Sequence, residues 1–239
     1  MKTGTLFGIG VGPGDPELIP VKATRILSQV DIVFTAASTR NAYSLAVEIA
    51  RPYIPEGIPV EKLDFPMCRS HTVKASAWRQ HAVRIASVLD EGRDAAFLTL
   101  GDPLTYSTYG YILRHLKAAR PDLPIVTIPG ITSYQAAAAA VNQPLVEGEE
   151  SLLILSGVHG GERLHEMILP PDNVVFLKAY RDVNGISEAL ERTGLAGGSV
   201  AVSNCSTEKQ QINTDLKELG KQPPNYWTLI IAKRSGNVF

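Results

Sequence analysis

Short apolar runs alternate with helix-like stretches along this 239-residue chain, and that alternation restricts it to an α/β architecture built on parallel β-α-β units. Residues 5–10, 32–35, 59–63, 95–100 and 125–128 read as strands, with helices over 20–29, 42–51, 75–91, 109–119 and 133–141. Within 75–91, Trp78, Ala82, Ile85 and Leu89 recur at helical spacing and form one core-facing stripe. Further on, 152–155, 174–178, 199–202 and 227–233 read as strands and 162–168 and 186–192 as helices, while 207–213 reads as a strand antiparallel to 227–233. The second half therefore carries a mixed sheet. A chain of this length holds one large or two small domains. The stretch Pro121-Asp122-Leu123-Pro124 is the best place to divide it, giving expected domains 1–120 and 125–239.

The first predicted strand runs into Gly8-Ile9-Gly10-Val11-Gly12-Pro13-Gly14-Asp15-Pro16. A dinucleotide fingerprint needs GxGxxG and an acidic residue closing the second strand. Here the third glycine position falls on Pro13 or on Asp15, and a carboxylate at that helix end repels phosphate. Asp31 begins the second strand instead of ending it. A nicotinamide oxidoreductase is thus disfavoured. Taken alone, the glycines are accounted for equally well by a tight strand-to-loop turn.

Open α/β sheets bind ligands beyond the carboxyl ends of their strands. Three unusual loops fall at such ends: residues 10–16, Leu100-Gly101-Asp102-Pro103-Leu104-Thr105-Tyr106-Ser107-Thr108, and Pro129-Gly130-Ile131-Thr132-Ser133. Glycine and proline permit close backbone approach, and the interspersed hydroxyls and Asp102 offer hydrogen bonds. The combination suits a polar, zwitterionic small molecule held largely by main chain. A non-catalytic carrier has no use for three such loops. Asp102 alone could equally cap the helix that follows.

With 23 basic and 24 acidic residues, the charge balance gives no support for nucleic-acid or membrane-surface binding. Cys68 and Cys205 lie far apart without CxxC spacing, which argues against a zinc site or disulfide framework and fits a reducing cytoplasm. No stretch approaches the roughly 18 apolar residues of a membrane span, and no signal peptide is expected.

The motif GxGPGDPELxxxKA over 8–23, Asp31-Ile32-Val33, the GDPxxY loop over 101–106, Pro129-Gly130-Ile131-Thr132-Ser133 and Val174-Val175-Phe176-Leu177-Lys178 together resemble the tetrapyrrole methylases, S-adenosylmethionine-dependent enzymes of corrin and sirohaem synthesis. The resemblance runs through essentially the whole chain in order. Tyr106-Ser107-Thr108 and the tail from Tyr226 to Ile231 look like the branch that methylates C20 of precorrin-2 or cobalt-factor II. Pro20 stands where threonine or leucine is usual, and Leu177 replaces a frequent methionine, a swap of similar volume.

The resemblance implies two αβα domains with the cofactor in a cleft between them, and a homodimer. Carried over by position, the S-adenosylmethionine site comprises Pro13, Leu100, Gly101, Asp102, Thr105, Thr132, Ser133, Leu177 and Cys205, with Thr228 beside the adenine. It implies no protein-bound metal. A tetrapyrrole fringed with carboxylates needs cations, and residues 65–89 contain no acidic side chain. Arg69, His71 and Lys74, in the expected loop before the third helix, are the favoured contacts, with Lys178 and Arg181 comparable; Arg79 and Arg84 read as a solvated helix face. Direct methyl transfer leaves S-adenosylhomocysteine and a C20 proton to be removed, for which Tyr106, His71 and water are the candidates. The competing readings are another branch acting at a different macrocycle carbon, or methylation of diphthine or ribosomal RNA, the last disfavoured by the neutral charge.

Overall fold

The computed structural model describes residues 2–38, 45–66, 68, 70–223 and 225–234. The chain forms two compact units, Met1–Thr132 and Ser133–Phe239. In the first, β1 (Leu6–Gly10), β2 (Ile32–Ser38), β3 (Val60–Phe65), β4 (Ala95–Thr99) and β5 (Ile125–Ile128) make one parallel sheet in the order β3-β2-β4-β1-β5. Side chains alternate across a strand, so Phe34 and Phe97 enter a core with α3 (His71–Asp90) and α4 (Tyr109–Ala119). Val33 and Leu98 enter a second core with α1 (Val21–Leu27) and α2 (Leu45–Ala50) on the other face. The predicted stripe holds: Ala82, Ile85 and Leu89 are buried, and Trp78 packs at the rim, stacked on Tyr111 at 4.1 Å.

Among the boundaries that differ from the sequence reading, two matter here. Helix α3 starts at His71, earlier than residue 75, because the Ser70 hydroxyl caps it by accepting from the Val73 N–H at 3.4 Å. His71 and Lys74 therefore stand on its first turn and not in the preceding loop. Pro20, placed within the first turn of α1, is its N-cap.

The division of the chain also falls later than Pro121-Asp122-Leu123-Pro124. Strand β5 pairs with β1 and so completes the first sheet. The proline-rich stretch is a tight turn held by Arg120, which donates to both oxygens of Asp90 at 2.9 Å and to those of Asp122 at 3.0 and 2.8 Å. The guanidinium holds both carboxyls below the usual carboxylate range. Groups with depressed folded-state pKa stabilise above their unfolded value and lose that contribution as pH falls. The melting-temperature gap between wild type and Arg120→Ala should thus narrow below about pH 4, and a gap constant from pH 7 to 3 would exclude the clasp.

In the second unit, β6 (Leu152–Ser156), β7 (Asn173–Leu177), β8 (Gly198–Ser203), β9 (Gln211–Asn213) and β10 (Thr228–Lys233) follow the order β6-β7-β10-β8-β9. Only β6 and β7 are parallel; the remaining pairings are antiparallel. The expected pairing of 207–213 with 227–233 is corrected: β9 pairs with β8, since both edges of β10 are already taken by β7 and β8. Helix α5 (Ser133–Ala140) opens this unit, the short α6 (Glu162–His165) lies between β6 and β7, and α7 (Val183–Thr193) buries Ile186, Ala189 and Leu190 against Phe176 and Ile230. No helix among the described residues is long and apolar enough to cross a membrane.

Candidate functional site

The three loops singled out in the sequence leave β4, β1 and β5, which are adjacent in the first sheet. Their glycines touch. A Cβ on Gly10 would lie 2.5 Å from the Gly101 carbonyl oxygen and 2.7 Å from the Gly130 nitrogen; one on Gly130 would lie 2.8 Å from Gly10 Cα. Gly12 and Gly101 form an antiparallel bridge, in which the Gly101 N–H donates to the Gly12 oxygen at 2.7 Å. At Gly12 (φ 85°) and Gly101 (φ 69°) the backbone also adopts the left-handed region. The result is a floor made of main chain, bordered by Pro13, Leu100, Thr105 and Thr132.

Asp102 binds this floor together. Its Oδ1 accepts from the Leu104 N–H at 2.8 Å and the Thr105 hydroxyl at 3.2 Å, while Oδ2 accepts from the Gly130 N–H at 3.2 Å. It does not cap α4; Ser107 Oγ accepts from the Tyr109 N–H at 3.1 Å there. A carboxylate offers about four acceptor sites, so Asp102 retains capacity for a ligand donor. Asp15, whose side chain accepts from the Glu17 N–H at 2.8 Å, starts a short 3-10 turn over Pro16–Leu18.

The second unit carries its own group of candidates. Antiparallel pairing sets the start of β10 beside the carboxyl ends of β7 and β8. Thr228 faces Ser203, the two buried hydroxyls 2.7 Å apart. Leu177 ends β7, and Cys205 is buried just beyond β8, where burial pushes its thiol up. Ser133 opens α5. Five non-glycine residues among those described have positive φ: Tyr106, Asn142, Lys178, Asn204 and Ser206. Tyr106 sits in the loop after β4, Lys178 is itself a candidate and Asn204 and Ser206 flank Cys205, and strained backbone of this kind concentrates at binding sites.

The candidate cations separate by their partners. Arg84 is held bidentate by Glu61 at 2.7 and 3.0 Å, which agrees with a structural role. Lys74, Lys178 and Arg181 are exposed or half-exposed and pair with no carboxylate among the described residues. Arg69 lies outside the described residues, and His71 is described only as the first residue of α3. Tyr106 is 55% exposed. No group of His, Cys, Asp and Glu that could hold a metal is present among the described residues. Gly12 and Ser107 fall within the loops singled out from the sequence, although not among the carried-over cofactor contacts; sequence reasoning missed Ser203, which is identified only by its strand register.

Residues 5–220 match the family model of the tetrapyrrole (corrin/porphyrin) methylases. The chain is 37% identical over 217 residues to the cobalamin biosynthesis protein CobIJ of Mycobacterium tuberculosis, covering 87% of this chain and 42% of that protein, so it spans less than half the length of that relative. It is 29% identical to the cobalt-precorrin-2 C(20)-methyltransferase of Salmonella typhimurium, over 97% of each chain. Among solved structures, the uroporphyrin-III C-methyl transferase of Thermus thermophilus, complexed with S-adenyl homocysteine, is similar with a TM-score of 0.67 at 24% identity, covering 99% of this chain and 100% of that one.

Proposed function

Because the chain belongs to the tetrapyrrole (corrin/porphyrin) methylases, we propose that it transfers a methyl group from S-adenosylmethionine to C20 of precorrin-2 or cobalt-factor II in cobalamin biosynthesis, releasing S-adenosylhomocysteine. The observation that carries this reading is the glycine floor at β4, β1 and β5, tied by Asp102, where the backbones of the three loops pack so closely that Gly10 and Gly130 leave no room for a Cβ. The similarity to a C(20)-methyltransferase over 97% of both chains supports the position of methylation.

Bound S-adenosylmethionine supplies an activated methyl group, and the macrocycle carbon attacks it directly. The protein's task is alignment, worth several kcal/mol in well-oriented systems. The floor approaches the ligand with backbone alone, and Asp102 keeps an acceptor for its ribose hydroxyls or amino group. Thr105, Thr132, Ser133, Leu177, Cys205 and Thr228 complete the cofactor contacts. Arg69, Lys74, Lys178 and Arg181 receive substrate carboxylates. Tyr106, His71 and water are the candidate acceptors of the C20 proton. The enzyme works as a cytoplasmic homodimer, which sedimentation equilibrium tests.

Incubation with precorrin-2, and separately with cobalt-factor II, plus methyl-labelled S-adenosylmethionine places the new methyl by NMR. A label at any carbon other than C20 defeats the assignment. Lys74→Ala should raise substrate KM about tenfold, the scale of one lost charge-assisted hydrogen bond, with S-adenosylhomocysteine affinity intact. An unchanged KM would remove Lys74 from the cationic rim.

A further inference from the structure

Strand β10 is buried along its whole length, yet Tyr226 and Trp227, which lead into it, are each 45% exposed. Tyr180, in the 3-10 turn Ala179–Arg181 that follows β7, brings its ring centroid to 5.1 Å from that of Tyr226. Trp227 meets Tyr226 edge-on, again at 5.1 Å. The Arg181 guanidinium lies 5.7 Å from the Tyr180 ring centroid, and its Nε donates to the Tyr180 hydroxyl at 3.0 Å. The four side chains come from two neighbouring strand ends, because β7 and β10 run antiparallel.

We propose that Tyr180, Tyr226, Trp227 and Arg181 form a stepped shelf, its ring planes inclined at 55° and 88° to one another, that meets the flat conjugated ring of the tetrapyrrole substrate partly by face and partly by edge and takes one of its peripheral carboxylates, an inference that rests on the methyltransferase reading. The rings fix one another, so their exposed surface is already oriented and little entropy is lost when a ligand covers it. Covering a large aromatic ring removes apolar area that a soluble fold otherwise buries. Burial, reinforced by the neighbouring Tyr180, pushes the Tyr226 phenol up, with Arg181 opposing. The shelf is therefore neutral at its aromatic part and cationic at one end. Arg181 uses one of five donors on Tyr180, and no carboxylate pairs with it among the described residues, which leaves a fork suited to an incoming carboxylate. Flat, conjugated and anionic at its edge is the chemistry of the substrate ring.

Uroporphyrin, a carboxylate-fringed macrocycle, serves as the probe. Titration of the full chain should shift and weaken the Soret band. Trp227→Ala and Arg181→Met should each raise the porphyrin Kd about tenfold, within the range of interface anchors, while S-adenosylhomocysteine affinity measured by calorimetry stays unchanged. Trp227→Phe should restore most of the affinity, separating ring stacking from a folding defect. An unchanged porphyrin Kd in the first two variants overturns the shelf. Loss of S-adenosylhomocysteine affinity with porphyrin affinity kept also overturns it, by assigning the rings to the adenine. A wild-type chain that binds neither ligand overturns the methyltransferase reading and the shelf together.

Discussion

Gly130→Ala should abolish cofactor binding and lower the melting temperature by roughly 2–10 °C. The added methyl group would press into the Gly101 carbonyl oxygen and lie 2.8 Å from Gly10 Cα. Both obstacles are backbone, and β1 is fixed on one side by β4 and on the other by β5, so no flexible side chain can yield. Overpacking of this kind costs about 1–3 kcal/mol, and the loops that move to relieve it are the ones proposed to touch the cofactor. A suitable control is Gly110→Ala, which places a methyl in open space on α4, where alanine outranks glycine by about 1 kcal/mol. That variant should melt higher and bind normally. Wild-type affinity for S-adenosylhomocysteine in Gly130→Ala would show that the glycine floor does not carry the site.

Asp102→Ala should weaken S-adenosylhomocysteine binding by about tenfold to a hundredfold, equivalent to about 1.4–2.8 kcal/mol. The substitution removes the acceptor for Leu104 N–H, Thr105 hydroxyl and Gly130 N–H at once, and so unties the β4 loop from the β5 loop. Asp102→Asn separates the two roles of the side chain. The amide oxygen can still accept from Leu104, whereas the amino group cannot accept from Gly130. If the carboxylate charge meets the cofactor amine, Asn loses affinity at nearly normal melting temperature. If the side chain only ties the loops, affinity and melting temperature fall in proportion across the Ala and Asn variants. Calorimetry and thermal unfolding on the two proteins distinguish these outcomes.

Much of this arrangement was legible from residue type. Glycine and proline at strand ends, an alanine-rich helix and a helical apolar stripe are imposed by local sterics, and each was found where the pattern placed it. What local pattern cannot supply is adjacency. Nothing between residues 12 and 130 states that β1 inserts between β4 and β5, yet that insertion is what turns three separate loops into one floor. The same gap explains the misplacement of β9, whose composition allowed pairing with β10 but whose partner was decided by which edges remained open. Ser70 illustrates a smaller failure: its hydroxyl opens α3, and helix propensity over the following residues did not reveal where the cap would fall. Asp102 was readable as a polar residue in a functional loop, but its bond to Gly130 crosses between strands and belongs to the fold.

Strand β10 lies between β7 and β8, although both precede it in the chain. During synthesis, then, β7 and β8 each wait with an unpaired backbone edge until residues 228–233 have emerged to fill the gap. Such open edges are templates for pairing with other chains. The first unit, whose sheet is complete once β5 has formed, can fold ahead of this step. Misfolding in a slowed or truncated translation product should therefore begin in the second unit, at the slot reserved for its central strand.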